Sequence, residues 1–242
     1  MTPAPAARRP DALDLLDAEI AGCRRCPRLV AWREEVARTK RAAFRDETYW
    51  GRPVPGYGPH HPRLAILGLA PAAHGGNRTG RIFTGDRSGD VLFAALYRAG
   101  LANQPTSTGR DDGLTLSGTR IFSAVRCAPP DNKPTPVERD TCAPFLHREL
   151  TEIRDDLRVV IALGGFAWAA FWPAAKAVYG VAPARKVPFG HGALWQAEGA
   201  PALLGCYHVS QQNTFTGRLT PGMLDEILAR AKALAGLDRR TD

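Results

Sequence analysis

The strongest constraint on the fold of this chain is an alternation that begins at residue 64. Short apolar runs read as strands at Leu64–Leu69, Thr119–Val125, Arg158–Leu163 and Ala202–Tyr207. Between and after them, apolar residues recur at helical spacing, which predicts helices over Asp86–Ala99, Pro136–Asp155, Gly165–Val178 and Pro221–Ala235. Strands that are apolar on both faces and alternate with helices build a mainly parallel sheet covered on both sides. The predicted fold class is therefore α/β, a three-layer α/β/α sandwich around a small, mainly parallel central sheet. Gly192–Gln196 adds a candidate edge strand. Upstream, Leu13, Leu16 and Ile20 predict an amphipathic helix over Asp11–Gly22. A second helix is expected from Leu29 to about Arg45, before the loop GRPVPGYGPHHP. Residues 1–10, rich in Pro, Ala and Arg, read as a short flexible tail, and residues 11–242 as a single domain.

This order has a functional consequence. Ligands of open α/β sheets bind outside the carboxyl ends of the strands. The segments that follow the strands are Ala70–Asp86, Arg126–Pro136, Gly164-Gly165 and His208–Leu219, all rich in Gly, Pro or polar side chains. Converging on one edge, they would form one pocket. In the first of them Gly75, Gly76, Gly80 and Gly85, after Gly68 in the strand, allow close backbone approach, while Asn77, Arg78 and Arg81 offer groups for phosphates or base edges. The dinucleotide fingerprint G-x-G-x-x-G is absent.

The formal charge of +8 favours polyanions such as nucleic acid, although it equally suits an anionic membrane or a merely solvated surface. No stretch approaches the ~18 apolar residues of a membrane span, and the N-terminus has no apolar signal region. A cytoplasmic location follows as the expectation, and with it reduced cysteines. Five cysteines are present, an odd number that argues against a disulfide framework. Cys23 and Cys26 form a C-x-x-C pair, and Cys127 with Cys142 supplies two more thiols that folding could bring to a four-ligand site. Spacing alone leaves zinc, an iron–sulfur cluster and unrelated buried thiols open. Cys206, inside the last apolar run, reads as a small buried hydrophobe.

Two motifs on these strand ends, GLAPAAHGGNRTGR and HVSQQNTFTGRLT, resemble those of the family 5 (type B) iron–sulfur uracil-DNA glycosylases, and the resemblance runs from Gly22 to Leu237. Family 4 has an acidic residue after the first Gly of the first motif. Here that position is Leu69, and the N-R-T-G…F-T-G-D-x-S-G run over Asn77–Gly89 is similar to family 5 instead. The resemblance implies the superfamily's fold, excision of uracil and related deaminated or adducted bases from DNA, and a structural [4Fe–4S] cluster on Cys23, Cys26, Cys127 and Cys142. It also assigns roles. Asp86 would stabilise the sugar cation or orient water, the competing role being a helix cap that Ser88 could fill instead. His208 would stabilise the departing base, against the alternative of a structural strand-end histidine. Phe83 would stack on the extruded base, or else be core. Asn132 would bond the base or a water, or simply turn the chain between prolines.

Other superfamily members have an Asn at the position of Ser123, which implies a roomier pocket here. Gly68 and Ala70 bring backbone to the base. Gln211–Arg218, including Gln212 and Phe215, would form a loop entering the duplex, and Lys186, Arg78, Arg81 and Arg218 would meet phosphates. No lysine occupies a motif position suited to a Schiff base, so no lyase activity is expected. A non-catalytic, metal-stabilised DNA-binding protein and a nucleotide-using transferase are the competing functions. Asp86 with His208 argues against the first, and the missing nucleotide fingerprints against the second.

Overall fold

The computed structural model describes residues 11–185 and 187–238, so the tail expected at 1–10 and Lys186 lie outside the described residues. Helix α1 (Ala12–Gly22) begins at a capping box in which Asp11 and Asp14 bond each other's backbone, and it buries Leu13, Leu16 and Ile20. Cys23 to Cys26 separate it from α2 (Pro27–Thr39), where Pro27 sits in the first turn and forfeits no helical hydrogen bond. Helix α2 is shorter than its sequence pattern suggests. Lys40 adopts a φ of 57°, a left-handed conformation that cannot continue a helix, and only a 3-10 turn over Ala42–Phe44 follows.

The remaining elements are β1 (Leu64–Gly68), the single turn α3 (Gly76–Thr79), α4 (Arg87–Arg98), β2 (Thr119–Ser123), α5 (Pro136–Glu152), β3 (Val159–Leu163), α6 (Gly165–Tyr179), β4 (Leu194–Trp195), β5 (Ala202–Cys206), α7 (Gln211–Phe215) and α8 (Pro221–Ala235). The sheet order is β2-β1-β3-β5-β4, with the first four strands parallel and the two-residue β4 antiparallel at the edge. All residues of the four parallel strands are buried. The strand period of two divides them between two cores. Leu64, Ile66, Ile161 and Leu204 face Leu92 and Leu96 of α4 and Leu228 of α8. Ala65, Leu67, Val160 and Leu203 face Leu16 of α1, Phe145 of α5 and Phe171 of α6. That division makes the three layers.

One polar device crosses the second layer. Glu149 on α5, fully buried, accepts from Arg120 Nε at 2.7 Å and is also paired with Arg126. Arg120 reaches Asp17 of α1 at 3.0 Å as well. A Cβ at Gly56 would collide with the Arg120–Glu149 pair, so glycine is required there. Among the described residues no helix is long and apolar enough to cross a membrane.

Strand β1 lies between β2 and β3, so the chain leaves it to one side and later returns on the other. Such a reversal opens a crevice at the carboxyl ends of the strands.

Candidate active site and cysteine site

A cavity of about 410 Å³ occupies that crevice. Leu69 and Ala70 reach it from the end of β1, Asp131 and Asn132 from the segment after β2, and His208, Ser210 and Gln212 from the segment after β5. The end of β3 contributes indirectly. Gly164 has a φ of 90°, which calls for glycine, and it packs beside His208, whose Cβ lies 3.4 Å from where a Gly164 Cβ would stand. All four segments expected at one edge are brought there.

Asp86 and Phe83 complete the wall. Asp86 is the N-cap of α4, its Oδ1 accepting the Gly89 amide at 3.0 Å. The expectation that Ser88 would cap this helix is therefore corrected: α4 starts one residue after Asp86, whose extended backbone (φ −142°) places its own carboxylate on the first turn. Capping uses one oxygen and leaves the carboxylate on the cavity wall. A Cβ at Gly75 would fall inside the Asp86 carboxylate, which explains a glycine at that position. Burial pushes the Asp86 carboxyl above the usual carboxylate range, against the pull of the Gly89 and Ser88 amides. Asp86 also borders a second, open trough of about 610 Å³ whose walls include Trp32, His74 and Arg87.

His208 hangs over the same cavity with its ring 6.1 Å from that of Phe83, tilted by 40°. Asn213 Nδ2 donates to its carbonyl oxygen at 2.8 Å and holds the turn after β5. Burial pushes the imidazole down to about 4, so it is neutral at physiological pH and can donate without carrying charge. A depressed folded-state value means that the unfolded chain binds the proton first. Stability from this group is accordingly present above pH ~6.5 and lost as pH falls toward 4. Imidazole NMR shifts of His208 should stay in their neutral form down to pH 5, and an ordinary titration near 6.5 would contradict the buried seat.

Cys23, Cys26, Cys127 and Cys142 line one small pocket, together with Arg33 and Arg126. No three of these sulfurs lie mutually within 4.8 Å among the described residues. A tetrahedral zinc, with Zn–S bonds of ~2.3 Å, would draw its thiolates to about 3.8 Å. The donor set is thus wider than one such ion draws its ligands, which is compatible with a larger centre. Arg33 Nη1 donates to Cys127 Sγ at 2.9 Å, and the Arg126 amide donates to Cys142 Sγ at 3.3 Å. Burial pushes the Cys127 thiol up to about 12 and that of Cys142 up to about 11, so both keep their protons at neutral pH unless a bound cation displaces them. Cys206 belongs to the opposite core, against α4 and α8.

The family model for the uracil DNA glycosylase superfamily matches residues 55–232 of this fold. This chain belongs to that superfamily. It is 59% identical over 223 residues to a type-5 uracil-DNA glycosylase of Mycobacterium bovis, covering 92% of this chain and 82% of that protein. Identity to a type-5 uracil-DNA glycosylase of Thermus thermophilus is 52% over 218 residues, or 90% of this chain and 96% of that one. A type-4 uracil-DNA glycosylase of Thermotoga maritima matches at 32% over 119 residues, 49% of this chain and 53% of the other. The long, high-identity matches place the chain in the type-5 branch of the superfamily.

Several polar residues of the type-5 motifs are not where their chemistry suggested. Asn77 is fully buried and donates from Nδ2 to the Arg33 carbonyl at 3.1 Å. Arg78 is buried, donating to the carbonyls of His74 and Gly85 at 2.8 Å each, stacking on Phe44 and pairing with Glu47. Arg81 is buried in an ion pair with Asp112 at 2.5 Å. These side chains spend their donors on carbonyls and carboxylates of the loop that carries Asp86 and of its neighbours, as buried polar groups must. Gly68 and Ser123 lie behind the cavity wall. The Phe83 ring covers Gly68, 3.1 Å from where a Cβ would stand, and Ser123 is buried with its Oγ unpartnered.

Phe83 holds this position with a φ of 51° and 7% exposure. Asn132 is exposed at the cavity mouth with a φ of 56°. The expected loop at Gln211–Arg218 is largely the short helix α7. Phe215 is 70% exposed beyond the cavity, and Arg218 stacks 4.7 Å over Tyr207 outside the lining. Asp131 and Ser210, which sequence reasoning did not single out, stand on the wall inside motifs it did identify. Arg33 was missed altogether. Its only sequence signal is a cation on the apolar stripe of α2, between Leu29 and Val36.

Proposed function

We propose that this protein is a monofunctional DNA glycosylase of base excision repair, hydrolysing the N-glycosidic bond of uracil and related deaminated or adducted bases in DNA. The carrying observation is one cavity faced by both a half-buried carboxylate, Asp86, and a neutral imidazole, His208. Breaking the bond between C1′ and the base builds positive charge on the sugar and negative charge on the base. A fixed carboxylate stabilises the first and a preorganised N–H donor the second. Water adds at C1′ as that bond breaks, and the products are a free base and an abasic sugar. The substrate enters by leaving the base stack, since the bond to be cut is out of reach inside a duplex, and Phe83 offers an aromatic face to the extruded base. Asn132 at the mouth bonds the base or the attacking water. Gln212 and Ala70 line its entry, and Arg218 lies outside, where it can meet the DNA backbone.

Cys23, Cys26, Cys127 and Cys142 would hold a [4Fe–4S] cluster, which would supply a cross-link between the α1–α2 junction, the end of β2 and α5. Anaerobically purified protein should be brown and contain iron and sulfide. Cys206→Ala should keep both, whereas zinc without iron would refute the assignment. The activity itself is tested with a uracil-containing oligonucleotide, treated with alkali after incubation. Alkali-labile breaks at the uracil are expected, and none in its thymine counterpart. Intact strands after prolonged incubation with iron-replete protein would overturn the proposal.

A further inference from the structure

A single chain of contacts joins the cysteine pocket to the loop that seats Asp86, and it runs through Arg33. This guanidinium is 2% exposed. Nη1 donates to Cys127 Sγ at 2.9 Å and Nη2 to the Cys23 carbonyl at 3.1 Å, while Nε is buried without a partner. The nearest carboxylate, Glu34, is 3.9 Å away and already engaged by Arg24. A buried cation without a close counter-ion is costly unless negative charge faces it, and here its partners are the Cys127 sulfur and the Cys23 carbonyl, in a pocket that all four cysteines line. On its other side, the Arg33 carbonyl accepts from Asn77 Nδ2 at 3.1 Å. Asn77 lies in α3, directly after Gly75 and Gly76, and the Gly75 backbone is packed against the Asp86 carboxylate. The Asn77 amide bonds the carbonyl of Ala72, a residue of the cavity wall.

We propose that Arg33 is the built-in counter-charge of the cysteine-bound centre and that Asn77, bonded to it, is the positioning residue through which an occupied cysteine site holds Asp86 in place. The inference rests on the cluster assignment above. It gives the asparagine of the N-R-T-G motif a purpose other than touching DNA. Hydrogen bonds and charge at ligating sulfurs set a cluster's potential and retention, so the two halves of the link can be read separately.

The test uses the iron-replete full chain and three variants. Arg33→Gln removes a positive charge, so the cluster should become harder to reduce in direct electrochemistry and should lose iron to a chelator at least ten times faster. Arg33→Lys keeps the charge but loses the two-point grip, so the potential should stay near that of the parent while iron loss still accelerates. Asn77→Ala should leave the visible spectrum and potential unchanged, yet slow single-turnover excision at least tenfold and move the acid limb of its pH profile downward, as water reaches a loosened Asp86. Unchanged potential and iron loss in Arg33→Gln would overturn the counter-charge. A full excision rate with an unmoved acid limb in Asn77→Ala would overturn the link, whatever becomes of Arg33→Gln. Parent protein lacking iron would instead remove the cluster reading, and the inference with it.

Discussion

Asp86→Asn should slow single-turnover excision by roughly 100- to 1000-fold on every base the enzyme accepts, the usual cost of removing one preorganised electrostatic group. The positive charge it answers forms on the sugar, which is the same whichever base departs. The substitution is well isolated because Asn is as good an N-cap as Asp. The bond from Gly89 to Oδ1 therefore survives, and α4 keeps its start. Thermal stability should barely change while the rate collapses. His208→Ala gives a different pattern. An imidazole that stabilises the departing anion matters most when that anion is a poor leaving group, so the loss should be larger for the less acidic of two bases. Neither side chain faces the cysteine pocket, so both variants should stay brown. Single-turnover rates on two bases of different acidity decide the matter. Unchanged rates for Asp86→Asn on both would reduce Asp86 to a cap.

Glu149→Ala should be strongly destabilising. Both carboxylate oxygens are fully buried between Arg120 and Arg126, which are themselves 1% exposed. Removing the carboxylate leaves two cations in the core layer, with only Asp17 remaining to Arg120. Breaking a buried pair in this way costs ~3–5 kcal/mol, and for a chain of this size each kcal/mol lowers Tm by ~2–4 °C. A fall of about 6–20 °C is expected in a melting curve. Arg139→Ala provides the contrast, since its pair with Asp140 is exposed and such pairs contribute ~0–1 kcal/mol. Equal Tm changes in the two variants would show that the buried triad is not a structural tie. The triad ties α5 to β2 and the segment after it, and Asp17 extends it to α1, so Glu149→Ala should also weaken the seat of Cys23 and Cys142.

The local pattern of the chain determined a good deal. Apolar runs at residues 64, 119, 159 and 202, separated by helical periods, already required a parallel sheet with two covered faces, because only burial on both sides makes such strands stable. That geometry forces the four following segments to one edge, and with them Asp86, Asn132 and His208. The C-x-x-C pair was visible in the chain itself, but spacing left unrelated buried thiols open, and only the family resemblance joined Cys127 and Cys142 to it. What the chain could not reveal locally was the direction of polar side chains inside those segments. Asn77, Arg78 and Arg81 carry the same chemistry whether they meet a phosphate or a carbonyl of their own protein, and only packing against α2, Phe44 and Asp112 turned them inward. The end of α2 was decided by a single left-handed backbone at Lys40, a conformation no apolar period encodes. Whether Asp86 caps a helix or faces a cavity was likewise undecidable from sequence. It does both, because a carboxylate has two oxygens and the fold places a bare glycine beside one and an open amide beside the other. The role of Arg33 is the clearest case. A lone cation on an apolar stripe carries no local sign of its partner, and the Cys127 sulfur that Arg33 meets stands 94 residues further along the chain.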